Sequence, residues 1–351
     1  MAVSEAPRVT EAAALLAGDD ERWREFLLAH PDALPYHHPA WVAALAEAYG
    51  YEPLAAVVRS AAGEIVGGVP FVEVGGRLRS RRWISLPFTD VCPPLTTAAL
   101  GERELAEAVE ELRRERQVRS LEIRAPLAGF EERGEIRGVR HELELGDPEA
   151  LFAAFKPQVR RNIRKAEKVG LQVRVAEQRD DLVRTYFDLH ADTRRRLGVP
   201  PQPRRFFESL WRHLVDPGLG FVLLAYHENV PVAGAVFLEW NGRVVYKYGA
   251  SDRKHWALRP NNLLFWECIR RSASSGARTL DFGRSDLEDE GLRSFKASWG
   301  AVESSLAYTS LGRVRQHSRT GASGQLLRPL LRACPGWFGR MVGAAFYRLA
   351  A

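Results

Sequence analysis

The sequence predicts a mixed α/β protein that contains two copies of one domain. Residues 66–77 (VGGVPFVEVGGR) and 232–243 (VAGAVFLEWNGR) share six of twelve residues at a constant offset of 166. Both segments read as an apolar strand, a turn with glycine and a second strand, and a helical stretch and a further strand follow each of them. A repeat of this length is a whole domain rather than a solenoid unit, and 351 residues suit two domains.

The elements expected in each half follow from these patterns. The first half has a strand at 54–58, the repeated hairpin, a helix at 103–116, and strands at 120–124 and 134–147. The second half has a basic helix at 157–169, a strand at 221–226, the second hairpin, a helix at 262–272 and a strand at 279–283. Helices covering a partly antiparallel sheet are expected in both. We predict domains at 1–145 and 146–312, followed by a tail at 313–351.

Composition narrows the class of protein. Hydrophobic residues make up 46% and charged residues 27%, which excludes a fibrous or wholly disordered chain. No apolar run approaches the ~20 residues that span a bilayer, and the N-terminus has no basic cluster before an apolar core. The three cysteines, Cys92, Cys268 and Cys334, lie far apart, so we expect a cytoplasmic protein without a disulfide framework or a metal site.

Positive charge is concentrated in two segments. The net charge is +6, and residues 313–351 contain seven arginines and no Asp, Glu or Lys, so residues 1–312 sum to −1. Residues 156–174 carry seven basic residues against Glu167. The tail is expected to pack back onto the first domain, or to lie on an anionic membrane surface.

The basic segment at 156–174 has the design of an anchored helix. Pro157 suits a first helical position, and Gly170 suits the end. Val159, Ile163 and Ala166 form a narrow apolar stripe. The cations beside this stripe face outward and are candidates for gripping phosphates: Lys156, Arg160, Arg161, Arg164 and Lys165. A solvated helix face is the alternative interpretation.

Six segments carry a resemblance to a known family. They are residues 155–171 (FKPQVRRNIRKAEKVGL), 259–264 (RPNNLL), 280–285 (LDFGRS) and 290–300 (EGLRSFKASWG), with 36–41 (YHHPAW) and 86–90 (LPFTD) in the first half. Together they resemble the FemAB family, the peptidoglycan-bridge aminoacyltransferases and their relatives. They are most similar to the family's acetyltransferase-like, cellulose-synthesis-associated branch. The resemblance covers about residues 30–310, and it implies a tandem duplication of GNAT-like acyltransferase domains.

The resemblance also implies an activity. Well-understood bacterial members move an amino acid from charged tRNA to an amine of a peptidoglycan precursor, without a covalent intermediate and without a bound cofactor. Phe295-Lys296 matches a family pair in which the lysine stabilises the developing oxyanion and the ring packs against the terminal adenosine. A surface lysine beside a core phenylalanine is the alternative.

Further candidates surround this pair. Asp281 leaves the end of a strand and would orient the acceptor amine or receive its proton, or else bond to a neighbouring turn. Arg284 suits a carboxylate or phosphate, and Tyr248 is a substrate-binding candidate on the preceding strand. In the first half, His38, Phe88 and Asp90 are expected to hold the acceptor in a groove between the domains.

Two other functions remain open from the sequence. An acyl-CoA-dependent N-acyltransferase in exopolysaccharide or envelope synthesis is the first, although residues 253–262 (RKHWALRPNN) lack the glycines of the usual coenzyme A loop and Pro260 has no N–H. A non-catalytic module that binds membrane or nucleic acid is the second. A lipid-linked acceptor would bring a cytoplasmic enzyme to the inner face of the membrane.

Overall fold

The chain forms two compact units in a computed structural model that describes residues 12–76, 79–313 and the single positions 329, 332 and 343. Of the described residues, 12–138 and 305–313 belong to the first unit, and 139–304 to the second. The expected placement of the tail concerns residues that lie almost wholly outside the described part.

The first unit is a twisted sheet with helices on it. Its strands are β1 (Ala14–Ala17), β2 (Glu52–Arg59), β3 (Ile65–Gly76), β4 (Arg79–Ile84), β5 (Leu95–Thr96) and β6 (Ser120–Ile123), and its helices are α1 (Glu21–Ala29), α2 (Pro39–Tyr49) and α3 (Glu102–Glu115). The strand order is β1-β2-β3-β4-β6, with β5 beside β3. Neighbouring strands are antiparallel except β4 and β6, which are parallel and are connected through α3.

Helix α3 shows why these segments fold as they do. The Glu104 carboxylate accepts the Gly101 N–H at 3.2 Å, which satisfies one of the donors at the start of the helix. Leu105, Val109 and Leu112 recur at helical spacing and are buried against the sheet.

The second unit repeats the arrangement. Its strands are β8 (Gln172–Val175), β9 (Gly220–His227), β10 (Val230–Trp240), β11 (Arg243–Ser251), β12 (Thr279–Ser285) and most of β7 (Gly134–Glu144), and its helices are α4 (Pro148–Ala154), α5 (Pro157–Lys168), α6 (Phe187–Leu197), α7 (Arg204–Leu210), α8 (Pro260–Ser274) and α9 (Glu290–Ala297). A last strand, β13 (Val302–Gly312), begins in this unit and belongs to the first unit from residue 305. π-Helical segments at Asp181–Tyr186 and Trp211–Val215 extend α6 and α7. The strand order is β7-β12-β11-β10-β9-β8.

Both copies of the repeated sequence occupy the same place in their units. Residues 66–76 lie in β3, which is followed by β4, while 232–240 lie in β10, which is followed by β11. In each unit the second strand of this hairpin is parallel to the strand after the next long helix, β4 with β6 and β11 with β12. The predicted tandem duplication of a mixed α/β, GNAT-like domain is confirmed.

The domain boundaries differ from those predicted, because the last strand of each half pairs away from its own half of the sequence. The strand expected at 134–147 to close the first domain is β7, and its residues 139–144 pair with β12. The end of β13 pairs with β6, Thr309 opposite Ile123. Residues 139–145 therefore fold with the second unit and 305–312 with the first.

The basic helix α5 is anchored as its apolar spacing predicts. Val159, Ile163 and Ala166 are all buried, in the core that also contains Phe155 and Trp299. No helix among the described residues is long and apolar enough to cross a membrane.

Candidate active site

The parallel strands β11 and β12 separate partway along the second unit. Only three residue pairs are in register, ending with Val245 opposite Asp281, and both strands are fully described. Beyond that pair, β11 continues beside β10 as far as Ser251, whereas β12 continues beside β7. Diverging strands leave backbone N–H and C=O groups without a ladder partner along their facing edges, so polar groups of a ligand can be received there.

Lys296 lies against the part of β12 that follows this separation. Asp289 caps α9 by accepting the Leu292 N–H at 3.0 Å, and the helix then carries Lys296 towards the end of β12. The side chain is 2% exposed. Its Nζ donates to the carbonyl oxygens of Gly283 at 2.6 Å and Arg284 at 3.1 Å. The alternative of a surface lysine is therefore wrong, because this ammonium is buried and held by backbone oxygens.

The two carbonyls reach Lys296 because β12 bulges. The register with β7 shifts between Asp281 and Arg284, and Gly283 has a φ of 72°, which favours glycine. Asp281, 5% exposed, accepts the Gly283 N–H at 2.8 Å through Oδ1. Its Oδ2 lies 3.4 Å from Nε of Arg140. The carboxylate thus bonds to its own turn, as in the second interpretation drawn from the sequence, and its part in proton transfer stays a prediction.

A buried histidine that the sequence did not single out completes the surroundings of Lys296. His141 of β7 is fully buried, with Nε2 at 3.1 Å from a Glu303 carboxylate oxygen that also receives Arg293. Burial, the Lys296 ammonium and Arg293 lower the pKa of His141, against the opposing effect of Glu303. The ring is therefore neutral at pH 7 and adds no positive charge beside Lys296.

Phe295 and Arg284 lie close to Lys296 in the chain but differ in setting. Phe295 is half-buried, with its ring 5.8 Å from that of Phe265 and 6.1 Å from that of Trp299. Arg284 is exposed and pairs with Asp286 at 2.7 Å. Part of the Phe295 side chain thus stays exposed, and Asp286 holds the Arg284 guanidinium at the surface.

Tyr248, on β11 beyond the separation, belongs to an aromatic cluster. Its ring centroid is 5.8 Å from those of His190 and Phe206 and 6.1 Å from that of Phe207. His190 bonds to Gln202 at 2.7 Å, and burial lowers its pKa to about 3. His190 is therefore a buried structural residue of this cluster.

The candidate phosphate-binding cations stand on one exposed helix. Arg161 contacts Gln158 at 2.7 Å, and the Arg164 guanidinium lies 5.6 Å from the centre of the Phe152 ring. Within the described part of the chain, no carboxylate pairs with any of the predicted cations, which are Lys156, Arg160, Arg161, Arg164 and Lys165. The helix therefore presents uncompensated charge to solvent, which is what an anionic partner requires.

The remaining candidates belong to the first unit, and two of them, Phe88 and Asp90, lie on a loop at 85–94 that follows β4. Leu86 and Phe88 have φ values of 54° and 60°, a strained backbone conformation for such residues. Trp41 donates to the Thr89 hydroxyl at 2.9 Å, and the Asp90 carbonyl accepts the Tyr308 hydroxyl at 2.8 Å. Bonds from several directions thus fix a strained loop, a pattern common where ligands bind.

His38 begins α2 in the same unit. Its Nδ1 accepts the Ala40 N–H at 3.1 Å, so the ring caps the helix. Burial lowers its pKa, which keeps the imidazole neutral at pH 7. The Phe88 ring lies 5.0 Å from that of Tyr49 at the other end of α2. The structure therefore places His38, Phe88 and Asp90 on α2 and the loop beside it.

Comparison with known proteins identifies the type of fold. A family model described as an acetyltransferase (GNAT) domain matches residues 153–296, from the approach to the basic helix as far as Lys296. The lipid II:glycine glycyltransferase of Staphylococcus haemolyticus (strain JCSC1435) is 34% identical over 85 residues, which are 22% of this chain and 20% of that protein. The chain thus matches about a fifth of the length of this curated relative.

Solved structures extend the likeness to both units. The crystal structure of FemX has a TM-score of 0.65 at 15% identity and covers 84% of this chain and 96% of that one. A tandem GNAT protein from the clavulanic acid biosynthesis pathway has a TM-score of 0.51 at 15% identity, covering 86% and 99%. L-PGS from Bacillus licheniformis has 0.54 at 13% identity, covering 91% and 98%. The second unit thus matches an acetyltransferase (GNAT) domain, and the chain as a whole has the fold seen in FemX and in the tandem GNAT protein.

Proposed function

We propose that this protein is an acyltransferase that moves an aminoacyl group from charged tRNA to an amine of a cell-wall precursor or a peptide-like metabolite. The observation that carries the proposal is the buried Lys296 ammonium, held by two carbonyls of β12 just after β11 and β12 separate. A cation held in a fixed place, away from water, suits charge that appears only during reaction. The acceptor and the tRNA donor rest on the resemblance to glycyltransferases.

The reaction depends more on holding the amine against the ester carbonyl than on activating either group. The amine lone pair attacks the ester carbonyl, a C–N bond forms, and the carbonyl oxygen becomes an oxyanion. Lys296 stabilises that oxyanion by hydrogen bonding and charge, and collapse breaks the C–O bond to the ribose. The proton lost by the amine ends on the released hydroxyl. An ester is reactive enough for this sequence without a covalent enzyme intermediate once the amine is held against it.

Helix α5 would hold the donor. Its five predicted cations have no carboxylate partner in the described part of the chain. Donor phosphates would therefore give them the charge-assisted hydrogen bonds that internal ion pairs do not supply. Phe295 would pack against the donor's terminal base beside Lys296. In the second unit, Arg284 and Tyr248 would contact the acceptor; in the first unit, His38 at the start of α2 and Phe88 and Asp90 on the strained loop are the proposed acceptor-binding residues.

An acyl-CoA donor is the second candidate, and the match to an acetyltransferase domain favours it. The start of α8 argues against the usual mode of coenzyme binding. Arg259 has a φ of 65°, Pro260 occupies the first helical position without an N–H, and no glycine loop precedes them. Transfer from tRNA also agrees with a cytoplasmic location, which we propose with it.

Salt-dependent binding tests the donor. Charged tRNA should bind with an affinity that falls steeply as the salt concentration rises. In the triple variant Arg160→Gln, Arg161→Gln, Lys165→Gln, the slope of log affinity against log salt concentration should become smaller by roughly 2–3, because three phosphate contacts are lost. The matched control replaces three exposed arginines elsewhere, Arg114, Arg133 and Arg179, whose side chains are 70%, 60% and 51% exposed. Equal losses in the two triples would contradict the assignment to α5. A thermal shift with coenzyme A thioesters but not tRNA would favour the second candidate.

A further inference from the structure

A cationic and apolar surface lies on the second unit, apart from α5 and from Lys296. It is built from the end of α6, the 3₁₀ segment Arg253–Leu258 and the turn between β9 and β10. We call it the Trp256 patch; its members are Arg196, Leu197, Val230, Arg253, Lys254 and Trp256. The Arg196 guanidinium lies 4.4 Å from the centre of the Trp256 ring, and the rings of His227 and His255 are 6.3 Å apart. These contacts bring the three segments together.

Three large apolar side chains of the patch are in water. Leu197 is 49% exposed, Val230 53% and Trp256 41%. The indole N–H of Trp256 donates to the Ser251 hydroxyl at 2.8 Å, and Arg196 covers part of the ring. The indole is therefore held in one orientation with much of its apolar surface outward, and this exposure has no purpose within the fold.

The cations of the patch repel one another. Burial first, and then the nearby Arg253 guanidinium, lower the pKa of Arg196. The neighbouring carboxylate, Asp252, is occupied by the Lys254 N–H and by His255, each at 3.0 Å. Within the described ranges Arg196, Arg253 and Lys254 have no ion pair, so an incoming anion would relieve their mutual repulsion.

We propose that the Trp256 patch docks the protein on an anionic lipid surface. Arginine and lysine would meet headgroup phosphates, while Trp256, Leu197 and Val230 enter the boundary between headgroups and acyl chains. Nucleic acid shares the phosphate chemistry, but exposed Leu and Val side chains add nothing to base stacking, whereas they add apolar area at a membrane. This inference goes beyond the proposed transfer reaction and does not depend on the identity of the acyl donor.

Vesicle binding by the full chain tests the proposal. The probe is vesicles of phosphatidylglycerol and phosphatidylcholine in equal parts, compared with pure phosphatidylcholine. At ~1 kcal/mol per cation near an anionic surface, Arg196→Gln with Arg253→Gln should weaken binding roughly 30-fold. The charge control is Arg133→Gln with Arg179→Gln. For the apolar part, Leu197→Glu should weaken binding at least about tenfold, whereas Leu28→Glu, at the same 49% exposure in the first unit, should not.

Fluorescence locates the contact. Lipids brominated on their acyl chains should quench part of the tryptophan emission of the wild type, and Trp256→Phe should remove that part while retaining binding. Patch variants that bind vesicles like the wild type would overturn the proposal, as would quenching unchanged in Trp256→Phe. Loss of tRNA binding with intact vesicle binding would show a nucleic-acid surface and would also overturn it. Thermal unfolding of each variant separates these outcomes from misfolding.

Discussion

Asp281 supports the placement of Lys296, and two substitutions test how. The Gly283 N–H that Asp281 accepts at 2.8 Å is buried. In Asp281→Ala that donor loses its acceptor, which costs about 1–3 kcal/mol. In Asp281→Asn an amide oxygen remains in the same place. The charge pair with Arg140 is lost in both variants, but Arg140 retains Glu142. The two variants should therefore differ by about 1–3 kcal/mol in free energy of unfolding, the alanine variant being less stable.

Urea denaturation followed by tryptophan fluorescence measures this difference. Lysine acetylation read by mass spectrometry gives a second readout. Lys296 should be protected in the wild type and in Asp281→Asn, and more reactive in Asp281→Ala, because the bulge no longer turns the Gly283 and Arg284 carbonyls towards Nζ. Equal stability and equal Lys296 protection in the two variants would refute a positioning role for the carboxylate oxygen.

Two further predictions concern the second unit. His190 has a pKa of about 3 in the fold against ~6.5 when unfolded, so the unfolded chain binds the extra proton as pH falls below 6.5. The wild type should lose ~2 kcal/mol of stability between pH 7 and pH 5 that His190→Gln does not lose, and parallel losses would contradict this. A Cβ at Gly249 would lie 1.7 Å from the Tyr246 hydroxyl, whose ring packs 4.8 Å from Phe265. Gly249→Ala should therefore cost about 1–3 kcal/mol or more in urea denaturation, while Gly146→Ala, in open space, should be neutral within error.

Local sequence patterns predict the individual helices and strands and the repeat. They do not predict which strands from distant parts of the chain pair with each other. The duplication was visible because the hairpin at 66–77 and its copy at 232–243 kept their glycines and apolar positions. The apolar stripe of α5 was visible for the same reason. The pairing of β7 with β12 was not, because hydrophobic alternation fixes which face of a strand is buried but not which neighbour it chooses.

In the candidate site, too, some residues could be predicted from the sequence and others could not. Lys296 stood out through the family resemblance, and Asp281 and Arg284 because they follow the end of a strand; the structure brings Lys296 to the carbonyl of Arg284 and to the turn bonded by Asp281. His141 and Glu303 did not stand out, because they come from β7 and β13, which are distant in sequence, and a lone histidine on a strand of alternating charged and apolar residues carries no signal of its own. Burial of the Lys296 amine was also beyond the sequence, since a lysine on a short helix is most often solvated.

Transfer by Lys296 variants tests the proposed reaction most directly. The measurement is single-turnover transfer from charged tRNA to lipid II or a uridine-diphosphate-linked muropeptide, with donor binding measured separately. Lys296→Met should lower the transfer rate about 10²–10³-fold, as the loss of one oxyanion donor does elsewhere, while the tRNA affinity changes little. Transfer at the wild-type rate by a folded Lys296→Met protein would contradict the account.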